Sequence, residues 1–416
     1  MTSQALTNVE KLRKIDVSVK AYGAMGDGVT DDTSAILSAI NAVKALGGGV
    51  VNFPVGNYLH TGLAVSSLSC VTLRSAGGAP FASGGGIGAK LICTSATANH
   101  LYLTNPYAVK VENLLFQTAT GLTPTAGTVI TFFANLGSSA SCSVTNCRLE
   151  NHFNGIALDG CSNSEIVNTQ VRQSKGVYAI ELRAGSKRMD QIRLTDVISD
   201  TEVTLGSTTA LGVSITTDVH TVFIERCSML KCRFGYFLGA GSEFVRIHNS
   251  DAESSNQSGF VLNNTLFPWL DCVYASINRE HGILVDAAFV STVNIDSPDC
   301  RGNALHGILI NSPGAQLITI ATPRIGQNSN PGAGGTAAVC HGIAAAIGAS
   351  RFQIMGGKCG GDINLSGTGT QAYGILVQAG ASNRYVIANV DLSGNTTGTL
   401  SDGGSGTTKT ITGNLL

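Results

Sequence analysis

Residues 259–310 read GFVLNNTLFPWLDCVYASINREHGILVDAAFVSTVNIDSPDCRGNALHGILI. One short phrase occurs three times within them, as GFVL at Gly259, GILV at Gly282 and GILI at Gly307. It consists of a glycine, an apolar residue, a variable residue and a second apolar residue. Toward the N-terminus the phrase continues as GYFL at Gly235, GVSI at Gly212, AIEL at Ala179 with the glycine replaced, and GIAL at Gly155. Toward the C-terminus it degrades through GIAA at Gly342, GILV at Gly374 and GTLS at Gly398. From residue 155 onward the intervals are 24, 33, 23, 24, 23, 25, 35, 32 and 24 residues. A period near 24 with occasional longer intervals marks a coil that repeats its shape and carries inserted loops.

A second element lies between successive phrases. It reads EIVNTQV from Glu165, VFIERCSM from Val222, FVRIHNSD from Phe244, CVYASIN from Cys272 and VNIDSPDC from Val293. Alternating apolar positions over such lengths, many of them β-branched, predict short strands with one face in a core. Two or three such strands per repeat, joined by polar turns, make one rung of a parallel β-helix, with rungs about 4.8 Å apart. The repeat glycines are expected where the chain bends between strands. The predicted fold class is therefore all-β, a single-stranded right-handed parallel β-helix with an N-terminal capping helix. Residues 1–20 are expected to be a short anchor or linker, 21–60 the cap, and 61–416 the β-helix with inserted loops.

Bulk properties agree with a body stacked on itself. Charged residues make up 13% of the 416 and glycine numbers 51, whereas about 25% charge is usual. Mean hydropathy is +0.20 and the pI about 6.7, which argues against disorder. Net charge is −1 and no basic stripe is visible, so no nucleic-acid partner is expected. No apolar run approaches the roughly 18–20 residues that span a bilayer, and the N-terminus lacks the apolar core of a secretory signal. Synthesis in a cytosol without membrane insertion is the expectation. The eleven cysteines include no CxxC pair or zinc spacing. They are expected to be reduced and mostly buried as small hydrophobes, Cys147 and Cys227 matching Val171 and Val197 of other repeats.

A solenoid end exposes core and unpaired backbone and needs covering. Thr30, Asp31 and Asp32 are candidate N-caps of a helix over 32–46, whose Ile36, Leu37, Ile40, Val43 and Leu46 share a face. Gly47, Gly48 and Gly49 stop it, and VVNFP predicts a strand ending at Pro54. The stretch AYGAMGDGVTDDTSAILSAINAV…GGGVVNFPVGNY, residues 21–58, resembles the opening of the pectate-lyase-like, right-handed parallel β-helix superfamily. The preceding KLRKIDVSVKAYGA resembles the junction before the β-helix of bacteriophage tailspike and tail-fibre depolymerases. That resemblance implies a homotrimeric virion tail protein that contacts tail or baseplate proteins. It also implies binding, and often cleavage, of bacterial surface polysaccharide. The chain ends soon after its last rung and has about twenty residues before the motif, so any anchor is expected to be minimal. The NTD…DD…GHG…RIK set of polygalacturonases and the YG…DPH pattern of alginate epimerases are absent. Activity is therefore not carried over residue by residue.

Three clusters could carry chemistry. Asp27, Asp31 and Asp32 suit turn and cap roles better than acid/base work. His281, His306 and His341 each precede a repeat glycine and should stack on successive rungs, a structural ladder rather than a metal site. Asp251 and Asp299 differ by two repeats, and each stands one residue before a core position, Ala252 and Cys300. They should face outward about 9.6 Å apart at most, and inverting glycosidases hold their acid and base roughly 6.5–9.5 Å apart. Asp251 and Asp299 are the predicted catalytic pair, with Glu253 and Glu280 as substitutes. Arg279, Arg301, Tyr274 and the sole tryptophan, Trp269 in the inserted-looking NTLFPWLD beside Phe267, are predicted substrate contacts. No metal and no cofactor is expected. The long connections after Asp200, Ile325 and Cys359 interrupt the same part of the coil and should form a wall on one face. Hydrolysis, polysaccharide lysis and binding without cleavage all remain open at this point.

Overall fold

The computed structural model describes residues 15–77, 88–135, 140–185, 188–201, 210–286, 292–311, 317–330, 333, 340–361, 371–380, 384–405 and 408–416. The chain sorts into two compact units, residues 1–202 and 203–416. Each is built of short parallel strands stacked rung on rung.

In the second unit every repeat phrase is a strand of one sheet. Phe260, Ile283, Ile308, Ile343, Ile375 and Leu400 follow one another in register through it. The elements between phrases each fold into two strands of a larger sheet. One rung thus runs Phe260–Leu262, Trp269–Asp271 and Tyr274–Ser276. Ile247, Leu270, Ile295, Ile320, Ile354 and Ile387 form a continuous core column. All six are buried, and each such side chain contributes about 1.5–3 kcal/mol on leaving water.

Gly235, Gly259, Gly282, Gly307 and Gly342 stand at bends that lead into the strands of the smaller sheet, as expected. A Cβ on Gly282 would lie 2.7 Å from the Gly307 carbonyl oxygen, and one on Gly259 would lie 2.8 Å from that of Gly282. The glycines are there because adjacent rungs approach too closely for any side chain. Further bends fall on left-handed residues between the two strands of the larger sheet: Asn249, Cys272, Ser297 and Thr322, with φ of 45°, 52°, 50° and 47°. A second corner is held by buried amides. Asn278 Nδ2 donates to Asn303 Oδ1 at 2.9 Å, and Asn303 Nδ2 to Asn328 Oδ1 at 3.0 Å. Each ladder bond supplies a partner to an amide that water cannot reach.

In the first unit the helix spans Thr33–Ala45 and the strand after it Gly49–Phe53. Ala35, Ile36, Ala39, Ile40 and Val43 form the buried stripe, while Leu37 is only partly covered and Leu46 is exposed. The stripe turns toward Ala35 and Ala39 and away from Leu37 and Leu46. Asp32 occupies the N-cap position but makes no capping bond. Its buried carboxylate instead accepts from the Met25 and Gly26 N–H groups at 2.7 and 3.1 Å. Asp31 accepts from the Thr33 N–H at 3.0 Å, and Asp27 closes its own turn onto Val29 and Thr30. All eleven cysteines are free thiols, nine of them buried and Cys70 and Cys272 exposed. Among the described residues, no helix is long and apolar enough to cross a membrane.

Candidate functional site

Three successive strands of the larger sheet in the second unit, Asp251–Glu253, Tyr274–Ser276 and Asp299–Arg301, share one construction. Their middle residues Ala252, Ala275 and Cys300 are buried in the core. Strand alternation turns the flanking residues away from the core; all are half-buried except Ser276, which is buried. Asp251 pairs with Tyr274 and Tyr274 with Asp299, while Glu253 pairs with Ser276 and Ser276 with Arg301. The two aspartates thus stand on either side of Tyr274, two rung steps or about 9.6 Å apart along the stack.

The two carboxylates occupy different environments. Burial pushes the Asp251 carboxyl above the usual carboxylate range, against a 2.7 Å hydrogen bond donated by Ser228 Oγ. Asp299 is gripped through both oxygens by Arg301, and Arg324 Nη1 approaches it at 3.7 Å. The Arg301 guanidinium also lies 5.8 Å from the centroid of Tyr274. One acid is thus biased toward its proton while the other faces two guanidinium groups, the asymmetry that divides acid from base roles. Asn249, Ser250, Asp251, Glu253, Cys272 and Tyr274 line an open recess of ≈ 460 Å³.

Other predicted residues lie elsewhere on the coil. Glu280 accepts from Gln257 Nε2 at 3.3 Å and Ser258 Oγ at 3.2 Å. Arg279 donates to Asn256 Oδ1 at 3.2 Å. Both follow Asn278 on the turn that returns the chain to the smaller sheet, so neither lines the recess. Trp269 is not in an insertion. It opens the strand Trp269–Asp271, in register with Arg246 on one side and Asn294 on the other. The indole is 41% exposed, and the Arg246 guanidinium sits 4.3 Å from its centre. Phe267 stacks on Phe244 at 4.9 Å.

Phe223, Arg246 and Trp269 follow one another at 23-residue intervals along one outward register. Sequence reasoning missed this stripe, although the same interval would have revealed it. A smaller hollow of ≈ 250 Å³ beside it is lined by Phe223, Ile224, Glu225, Arg246 and His248.

His281, His306 and His341 stack ring on ring, with centroids 5.2 Å apart at both steps. The His306 N–H donates to His281 Nδ1 at 3.2 Å, and the His341 N–H to His306 Nδ1 at 2.9 Å. A ring nitrogen that accepts a backbone N–H must be unprotonated, so the ladder requires neutral imidazoles. Burial pushes His281 down to about 4. Burial and the two neighbouring imidazoles push His306 down to about 3. The long connections leave Asp200, Gly326 and Cys359 and re-enter at Leu211, Ile343 and Tyr373. Their inner residues 202–209, 331–332, 334–339 and 362–370, on which a wall was expected, lie outside the described residues.

A family model described as rhamnogalacturonase A/epimerase, pectate lyase-like matches residues 17–261, more than half of the chain. The chain belongs to this family. Of the recess residues, Asn249, Ser250, Asp251 and Glu253 fall within the pectate lyase-like match, and Cys272 and Tyr274 beyond it, as do Asp299 and Arg301 on the next rung. Mannuronan C5-epimerase AlgE1 of Azotobacter vinelandii is 49% identical over 61 residues, 15% of this chain and 4% of that protein. The chain therefore spans only a small part of that relative. Tailspike protein 3 of bacteriophage CBA120 is similar over 98% of this chain and 62% of its own, with a TM-score of 0.64 at 12% identity. The catalytic unit of a GH87 α-1,3-glucanase from Streptomyces thermodiastaticus strain HF3-3 is similar over 96% of this chain and 69% of its own, with a TM-score of 0.54 at 14% identity. At such identities the shared property is the parallel β-helix fold.

Proposed function

We propose that this protein is a phage or prophage tailspike-like protein that binds bacterial surface polysaccharide and hydrolyses it between Asp251 in the recess and Asp299 on the rung beyond Tyr274. The observation that carries this reading is the shared register of two aspartates, separated by Tyr274 and held in unlike environments. Protonated Asp251 donates to the glycosidic oxygen as the bond from the anomeric carbon breaks. A water attacks that carbon from the opposite face and gives its proton to Asp299, so the anomeric configuration inverts. The backbone spacing of about 9.6 Å lies just above the roughly 6.5–9.5 Å between carboxyl groups that leaves room for such a water. Glu253, on the recess wall, is the substitute carboxylate. The fold likeness to a tailspike and to a glucanase supports the polysaccharide assignment. In this reading the chain works as a homotrimer on a virion tail, in contact with other tail or baseplate proteins.

The test is incubation with capsule, exopolysaccharide or O-antigen while reducing ends and ultraviolet-absorbing unsaturation are followed together. Hydrolysis predicts reducing ends without unsaturation, and loss of those reducing ends in Asp251→Asn and Asp299→Asn variants that remain folded. A second reading, binding without cleavage, is favoured by the double grip of Arg301 on Asp299, which occupies both oxygens of that carboxylate. It predicts retention of the glycan with no new ends. Unsaturated products would instead identify a lyase.

A further inference from the structure

At the bend beside the recess, three different metal-binding side chains converge. His248 Nδ1 lies 2.9 Å from Asp271 Oδ2. One ligand atom from each of His248, Asp271 and Cys272 lies within 4.8 Å of the other two. The set spans two rungs, because His248 and Asp271 are register partners. Cys272 is the left-handed residue at the bend and is exposed, unlike the buried cysteines of the core. We propose that His248, Asp271 and Cys272 bind one divalent cation of the zinc class.

The donor chemistry selects that class. An imidazole nitrogen, a carboxylate oxygen and a thiolate sulfur suit zinc, and three protein ligands leave a position open. Calcium and magnesium would want oxygen donors throughout. Binding exchanges the Cys272 thiol proton for the metal, and that proton goes to solvent.

The surroundings fit. Asn249 Nδ2 is recorded 2.9 Å from His248 Nε2. With the side-chain amide turned over, its oxygen accepts from Nε2–H, which leaves Nδ1 free for the metal. Register places Glu225 beside His248 and Asp296 beside Asp271. Glu225 is already paired with Arg226 at 2.6 Å, so Asp296 is the further carboxylate that offsets the cation's charge. The opposing charge is Arg246, 3.3 Å from Asp271. Its guanidinium also lies over Trp269, so it can give up the carboxylate while keeping the aromatic contact. Cys272 lines the recess as well, but the proposal does not depend on any reaction there.

The experiment titrates the chelator-treated full chain with Zn²⁺ by calorimetry and with Co²⁺ by absorption, without any glycan. One Zn²⁺ per chain and a sulfur-to-cobalt charge-transfer band are expected. Cys272→Asn keeps a residue that tolerates this backbone, as Asn249 does one rung earlier, and Cys272→Ala provides a second sulfur-free variant. Each should abolish the band and weaken Zn²⁺ binding at least tenfold, and His248→Gln should weaken it comparably. Cys70→Ala, at the other exposed thiol, should change neither. No zinc binding, a band that survives both Cys272 substitutions, or a band lost with Cys70→Ala would overturn the proposal.

Discussion

The histidine ladder makes acid stability a quantitative test. The perturbation is acidification from pH 8 to pH 5, compared between the wild-type chain and His306→Gln. An unfolded histidine titrates near 6.5, whereas folded His281 and His306 are pushed down to about 4 and about 3. The folded state therefore binds fewer protons than the unfolded state throughout the interval between these values. By linkage, stability is complete above about pH 6.5 and falls as pH drops toward the folded values. At pH 5 the unfolded chain is favoured by about 1.5 pH units per residue, or about 2 kcal/mol for each histidine at 1.36 kcal/mol per unit. The pair then accounts for about 4 kcal/mol of lost stability, a large share of the roughly 5–15 kcal/mol typical of a native protein. Gln at 306 can still accept the His341 N–H but cannot titrate. Chemical denaturation at both pH values should show the variant losing about 2 kcal/mol less than wild type, whatever its stability at pH 8. Equal losses in the two proteins would refute a protonation-limited ladder.

Three further outcomes follow from the geometry. Ser228→Ala removes the 2.7 Å hydrogen bond that favours ionised Asp251, so the alkaline limb of any pH–rate profile should move up by ~1 unit; an unmoved limb would exclude Asp251 as the acid. Trp269→Ala should raise the glycan Kd roughly tenfold, as loss of an exposed aromatic anchor does, with no change in melting temperature, and binding assays against purified glycan read this directly. Asn303→Leu breaks the amide ladder on both sides and strands buried partners at Asn278, Asn328 and the Ala275 carbonyl. At about 1–3 kcal/mol for each unsatisfied group, thermal melting should show one of the largest losses of any single substitution in this unit.

The rungs were legible because core alternation and the phrase interval report the same geometry twice. Asp251 and Asp299 could be placed together from sequence because 48 residues span two rungs here without an insertion. What a side chain does after it reaches the surface was not legible. Asp32 stands where a cap belongs, yet two loop N–H groups outcompete the helix terminus for its carboxylate. Trp269 looked inserted because Pro268 interrupts the pattern, but the strand simply begins after the proline. The partnership of Arg301 with Asp299 needs rotamers that bring both guanidinium arms onto one carboxylate. The glycines were found for an incomplete reason: they stand at bends, but the close approach of the neighbouring rung also excludes a side chain there.

The long intervals show why such a scaffold can hold a site constant while its surroundings change. Gly307 and Gly342 are 35 residues apart, yet Ile308 still pairs with Ile343 and Ile325 with Cys359. The extra residues fall between Gly326 and Ile343, in one connection, so the strands on either side keep their register. A one-residue shift inside a strand would exchange core for surface, whereas a ten-residue shift in that connection exchanges nothing. The spacing of Asp251, Tyr274 and Asp299 is therefore protected by the core columns beneath them, Ala252, Ala275 and Cys300. Loop sequence is free to vary without disturbing it. Outward side chains on this coil are fixed by register, and the connections are where sequence can change without moving them.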